Sequence, residues 1–199
     1  MSGIVGSRLN MRGSGLVGSL GTDGQIFTSS GAGAGAVFEA APGGGKIGQV
    51  LQGVGDTVQS FSSTTFTDLT SMTVDITPAA TSSKMLVLVD LKFSASSSSV
   101  FARLMRDDTA IYYNDTLEDR VEVFTHDNNG GYTNDYAYLK DSTAIYLDSP
   151  STTSQITYKV QGAVESSESF YLSRTKADRN AAATPERVVS SITVMEVLA

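Results

Sequence analysis

The sequence predicts an all-β protein, a jelly-roll-like antiparallel β-sandwich preceded by an extended glycine-rich N-terminal arm. Three observations carry this expectation. Residues Lys84–Ala95, KMLVLVDLKFSA, open with a run of apolar residues from Met85 to Val89 and then alternate. A continuous run reads as a strand covered on both faces and alternation as a strand with one wet face, so this stretch is the central strand. Residues 57–199 break into about nine strand-like segments with turns at short spacing and no helical periodicity, the pattern of a sandwich or jelly roll. Finally, 13 of the 19 glycines fall within the first 45 residues, which sets that segment apart from the rest.

Taken in order, the arm covers Met1–Gly45. Its charges cancel, Arg8 and Arg12 against Asp23 and Glu39, and it holds two aromatics, Phe27 and Phe38. Such a segment buries too little apolar surface to offset the ordering of its own backbone. Apolar residues nevertheless recur between the glycines: Ile4, Val5, Leu9, Met11, Leu16, Val17, Leu20, Ile26 and Phe27. Glycine allows close backbone approach, so these are the candidate residues of a docking arm that orders against a partner. A tight turn at residues 21–25 precedes a short strand at 26–28, and Pro42 with three glycines behind it marks the boundary. Residues 46–56 are expected as a short strand or stem with Ile47, Val50, Leu51 and Val54 as its apolar residues, and residues 57–199 as the sandwich head.

Within the head, residues 58–66 fit a Ser/Thr-rich edge strand. Residues 69–77 place Met72, Val74 and Ile76 on one face, and Pro78 ends them. After the central strand come a strand at 100–106, a turn at Asp107 and Asp108, and a return at 109–113. Residues 121–125 are apolar at alternate positions, 126–134 read as a long loop, and 136–139 and 144–148 as two strands around a turn at Asp141 and Ser142. Residues 155–164 show the cleanest alternation, with Ile156, Tyr158 and Val160 inward. A short strand at 169–173 and a charged loop at 174–186 precede the last strand, 188–198. There Val188, Ile192, Val194 and Leu198 share one face and Val189, Met195 and Val197 the other. A sandwich strand needs one apolar face, so Val189, Met195 and Val197 form a candidate subunit interface.

Composition excludes several chemistries. The net charge of −7 opposes a nucleic-acid groove, which needs clustered Lys and Arg. With no Cys and one His, His126, there is no disulfide, thiolate site or His pair. No apolar run approaches membrane-span length, and residues 1–15 do not read as a secretion signal. Residues 13–18, GSGLVG, match GxGxxG but lack the flanking strand and helix that nucleotide binding requires. The carboxylates of Asp107, Asp108, Asp115, Glu118, Asp119, Asp127 and Asp135 lack the spacing of a calcium loop, and no pair among them stands out for glycoside cleavage. His126 beside Asp127 has no nucleophile elbow to serve. No catalytic, cofactor or metal residue is therefore expected, and the chain is read as a non-enzyme. Tyr112, Tyr113, Tyr132 and Tyr136 cluster near loops and form a candidate recognition surface, since a tyrosine joins an apolar ring to a polar tip.

Residues 20–39, LGTDGQIFTSSGAGAGAVFE, resemble a segment common in fibre and appendage proteins of tailed phages, especially marine and cyanobacterial ones. The stretches DITPAATSSKMLVLV, LDSPSTTSQITYKV and SITVMEV are similar to the β-sandwich module of the same proteins. The resemblance implies a virion structural protein, made in the host cytoplasm and placed on the virion surface, with a trimeric jelly-roll head. Its partners would be its own copies, other capsid or tail proteins and, in a receptor-binding role, a host glycan or protein. The short arm and the lack of a shaft favour a capsid-surface decoration, cement or short-fibre protein. The alternative is a tail-fibre or tail-tip appendage that binds the host receptor, and the outsider is a carbohydrate-active sandwich enzyme.

Overall fold

The computed structural model describes residues 25–28, 37–40, 46–95, 99–114, 121–128, 139–166, 169–179 and 186–198. The chain divides into two compact units, Met1–Gly45 and Lys46–Ala199. In the first, β1 (Gln25–Thr28) and β2 (Val37–Ala40) pair antiparallel, with Phe27 opposite Phe38 and Ile26 opposite Glu39.

The second unit is all-β among its described residues. Its strands are β3 (Ile47–Gly55), β4 (Gln59–Phe61), β5 (Thr67–Ile76), β6 (Lys84–Ala95), β7 (Ser99–Arg106), β8 (Thr109–Ile111), β9 (Thr125–Asn128), β10 (Lys140–Asp148), β11 (Ile156–Val164), β12 (Phe170–Leu172) and β13 (Ser190–Val197). They form two antiparallel sheets. In the first, β6 pairs with β10 along one edge; along the other it pairs with β13 and then with β12, which carry β3 and β4 beyond them. The second runs β5-β11-β7, and the far edge of β7 is shared by β8 and β9.

The core lies between the sheets. Met72, Val74 and Ile76 of β5, Tyr158 and Val160 of β11, and Val87, Val89 and Leu91 of β6 meet there. The period of two in each strand directs these residues inward together. At one end Phe61, Phe170 and Phe93 stack with centroids 5.2 and 5.4 Å apart. At the other end the sheets are joined by a polar contact. Asp148 of β10 is 4% exposed. It accepts bonds from Arg106 Nη1 of β7 (2.9 and 2.8 Å) and from Tyr158 Oη of β11 (2.6 Å). Burial and the neighbouring carboxylate push the Tyr158 hydroxyl well above its ordinary pKa, so it stays a donor.

Several local expectations change. Of the two readings of residues 46–56, short strand or stem, the structure has the strand: β3 is an edge strand of the first sheet that pairs with β13 from Ser190↔Gly55 to Val197↔Ile47. Its apolar residues extend the sheet, and Gly53 lets it approach β5. A Cβ there would stand 2.5 Å from the Thr73 carbonyl and 2.7 Å from that of Ser71. The stretch 58–66 yields only the three-residue β4. Asp141 and Ser142 do not turn the chain, because β10 runs through them with Asp141 opposite Lys92 and Lys92 Nζ 3.3 Å from its carboxylate. The strand expected at 121–125 begins instead at Thr125. There β9 pairs with β7, and His126 stacks on Phe101 at 5.1 Å. In the charged loop, Glu186 accepts bonds from Arg179 and Thr175, while Arg187 grips Asp178 with two nitrogens.

Candidate functional site

The outward-facing positions of the first sheet are apolar over much of its area. Cross-strand register defines rows that run across four strands. One row joins Leu147 of β10, Leu86 of β6, Met195 of β13 and Val50 of β3. The next joins Ile145, Leu88, Thr193 and Gln52. Ile145 is 62% exposed, Val50 54% and Leu147 48%, whereas Leu86, Leu88 and Met195 are half-buried by these neighbours. Beyond the first row lie Lys84, Val197 and Ile47, and beyond the second lie Thr143, Asp90, Ser191 and Val54. A shallow depression of about 190 Å³ runs among Leu88, Asp90, Thr143, Ile145, Ser191 and Thr193. The face ends in charge, with Lys92 Nζ 2.6 Å from Asp90 and 3.3 Å from Asp141. Those carboxylates hold the ammonium above its ordinary pKa, against the opposing effect of burial.

Behind this face sits Glu196, 1% exposed and in phase with Ile192 and Val194. It accepts hydrogen bonds from the Ala79 N–H (2.6 Å) and from Gln49 Nε2 (2.9 Å). Burial pushes its pKa up, but the hydrogen bonds outweigh burial and hold it below the ordinary range. The carboxylate ties β13 to β3 and to the turn after β5. Its role is structural, and it has no access to solvent chemistry.

A second region lies at one end of the sandwich. Tyr112, Tyr113, Asn114, Val123 and Phe124 line a cleft of about 320 Å³. Tyr112 has φ of 58°, a left-handed conformation that is uncommon for a non-glycine residue, and its ring lies 5.4 Å from that of Tyr146. Tyr112 and Tyr113 are 40% and 42% exposed.

The residues singled out from sequence are distributed as follows. Met195 and Val197 lie on the apolar face of β13, half-buried, and Val189 stands exposed just before the strand. Tyr112 and Tyr113 share the cleft; Tyr132 and Tyr136 lie outside the described residues. Ile26 of β1 is exposed and Phe27 lies in the same strand, while Ile4, Val5, Leu9, Met11, Leu16, Val17 and Leu20 lie outside the described residues. So does the GxGxxG stretch. Sequence reasoning reads the segment of Ile145 and Leu147 as a strand and that of Val50 as a short strand or stem, but it does not place the three on one face, because the pairing that aligns them is not encoded in the pattern. The signal is present in the Met85–Val89 run, whose two apolar faces imply a second cover for Leu86 and Leu88. Among the described residues no three His, Asp or Glu side chains converge as a metal site would require.

No family model matches the chain, and no curated protein matches it at a significant level. Solved structures show a distant likeness. The structure of infectious bursal disease virus Gt strain is 11% identical over 88% of this chain and 43% of that one, with a TM-score of 0.36. The VP2 subviral particle of the same virus is 11% identical over 87% of this chain and 46% of that one, at 0.33. The Gx strain is 10% identical over 87% and 47%, at 0.32. The chain thus spans less than half the length of these neighbours, and a likeness this distant carries no argument about function.

Proposed function

We propose that this chain is a non-enzymatic structural protein of a tailed-phage virion, a capsid-surface decoration, cement or short-fibre protein. The glycine-rich arm docks it into the particle, and the sandwich assembles with its own copies, as a homotrimer in the form that the resemblance implies. The observation that carries the assembly role is the apolar outer face of the first sheet, on a sandwich whose interior is already filled. Apolar strand faces left in water are unfavourable by roughly 25 cal/mol per Å², and a protein that works in an assembly recovers this. The phage context rests on the resemblance of residues 20–39 and of the three later stretches. Particle labelling tests the placement. Decoration predicts label over the head, and label confined to the tail would establish the appendage reading instead. Deleting residues 1–45 is expected to leave a folded head that no longer joins particles, and normal incorporation of that variant would remove the arm from the anchoring role. Incubation of the full chain with host polysaccharide is expected to give no turnover.

A further inference from the structure

We propose that the outer face of the first sheet seats a second copy of this chain, face to face, about a two-fold axis that crosses the strands at the level of Val87. The inference rests on the assembly reading above, deepens it, and adds a contact to any trimer.

The face is wide enough to matter. Strands lie about 4.8 Å apart and rise about 3.4 Å per residue, so four strands from the Lys84 row to the Asp90 row present a patch of about 20 by 20 Å. Apolar patches of about 300–600 Å² are the largest a typical monomer exposes and are often functional. A stable interface takes about 800 Å² from each partner, with an apolar centre and a polar rim; this patch is about half that area, so the contact it makes is of the smaller, weaker class. Here Leu86, Leu88, Met195, Val50, Ile145 and Leu147 supply the centre, and Thr193 and Gln52 with the rows of Lys84 and Asp90 supply the rim.

Charge then selects the occupant. Lys84, Leu86, Leu88 and Asp90 point outward from β6 in succession. Lys84 and Asp90 are equidistant from Val87, as are Leu86 and Leu88. A two-fold axis across the strands at that level reverses strand direction and keeps β6 over β6. It lays Leu86 on the partner's Leu88 and sets Lys84 opposite the partner's Asp90, twice. It also lays Leu147 on the partner's Ile145, Met195 on the partner's Thr193 and Val50 on the partner's Gln52. The surface is therefore self-complementary, as an isologous contact requires. The Asp90 side chain is 48% exposed despite its bond to Lys92, so it can accept a second cation. Face-to-face sheets pack about 10 Å apart, within reach of Lys84.

The test measures the mass of the full 20.9 kDa chain by sedimentation equilibrium. A mass of two chains is expected, or of six where a trimer also forms. Ile145→Lys with Leu147→Lys should halve that mass and leave the circular dichroism spectrum unchanged. Lys84→Glu alone and Asp90→Lys alone should each weaken association by about tenfold, and the two together should restore it. A chain that stays monomeric at tens of micromolar, a mass of three chains only, or charge variants that fail to rescue one another would overturn the proposal. Absence of the protein from purified particles would count against the virion reading and leave these masses untouched.

Discussion

The two sheets of the sandwich bury matching inner faces but present opposite outer ones. On the second sheet the outward side chains hold one another. Arg103 Nε donates to Gln161 (2.9 Å), Gln161 Nε2 to Asp68 (2.6 Å), and Lys159 Nζ lies 3.2 Å from the same carboxylate. Thr157 Oγ1 donates to Asp75 (2.6 Å), and the Arg103 guanidinium stacks 4.0 Å over Phe66. Such a face is complete in water. The first sheet has one such pair, Gln52 Nε2 donating to Thr193 (2.9 Å), but most of its central outward positions carry Leu86, Leu88, Met195, Val50, Ile145 and Leu147. Sheet formation leaves the outward positions free to be polar, as the second sheet demonstrates, so the fold itself does not require the apolar residues on the first.

The contrast holds only while the two sheets stay one body, and Asp148 is where that is broken most severely. Asp148→Ala leaves the Arg106 guanidinium and the buried Tyr158 hydroxyl without their acceptor. Removing one member of a buried ion pair costs about 3–5 kcal/mol, read as a lower urea midpoint for the head. Gly53→Ala comes next. The added methyl meets two backbone carbonyls of β5, which cannot rotate away, so β3 must move outward. Overpacking of this kind costs about 1–3 kcal/mol. Because β3 carries Val50 and Ile47, the variant should also weaken self-association, a loss that no stabilising change elsewhere in the head should restore.

Glu196 sharpens the contrast from the inside. Its folded pKa lies below the ordinary value of 4.5, so its contribution is fully present above that value and is lost as pH falls through the folded one. Glu196→Gln offers an amide where Ala79 N–H and Gln49 both need an acceptor, which costs about 1–3 kcal/mol at neutral pH. The variant should also lose less stability than wild type between neutral pH and about pH 3, measured by urea unfolding at each pH. Equal acid slopes for the two proteins would mean that the carboxylate is not held as the hydrogen bonds imply.

How much of this is legible in the sequence follows from what each residue has to report. Alternation in residues 69–77 and 155–164 reads correctly because β5 and β11 each have one apolar and one polar face. The Met85–Val89 run reads as doubly covered, yet within one chain Leu86 and Leu88 are only half-buried. Among the described residues of the head, none completes their second cover. Asp141 and Ser142 look like a turn because short polar residues favour turns, and only their pairing with Lys92 and Leu91 makes them strand. Asp148, Glu196 and Gly53 are opaque. Two are carboxylates in core phase, whose partners are distant in sequence, and the third answers to a backbone approach that pattern does not encode. The tyrosine cluster is visible as composition, but the left-handed Tyr112 that shapes the cleft is not.

The smallest effect expected is on the wet face. Asp68→Ala removes the acceptor shared by Lys159 and Gln161, all of them at the surface. Exposed ion pairs contribute about 0.2–1 kcal/mol, less as salt rises. The stability loss should therefore be near the limit of measurement in low salt and vanish in high salt, with the oligomeric mass unchanged. A matched change on the dry face, Ile145→Thr, should also leave the isolated head within about 0.5 kcal/mol of wild type, since the residue is mostly exposed. Its oligomeric mass, however, should fall. Two surface substitutions of similar size and equal cost to folding would then differ only in their effect on assembly. On that difference the sheets part company, the polar face closing the fold against solvent and the apolar face, under the proposal above, closing against a second copy.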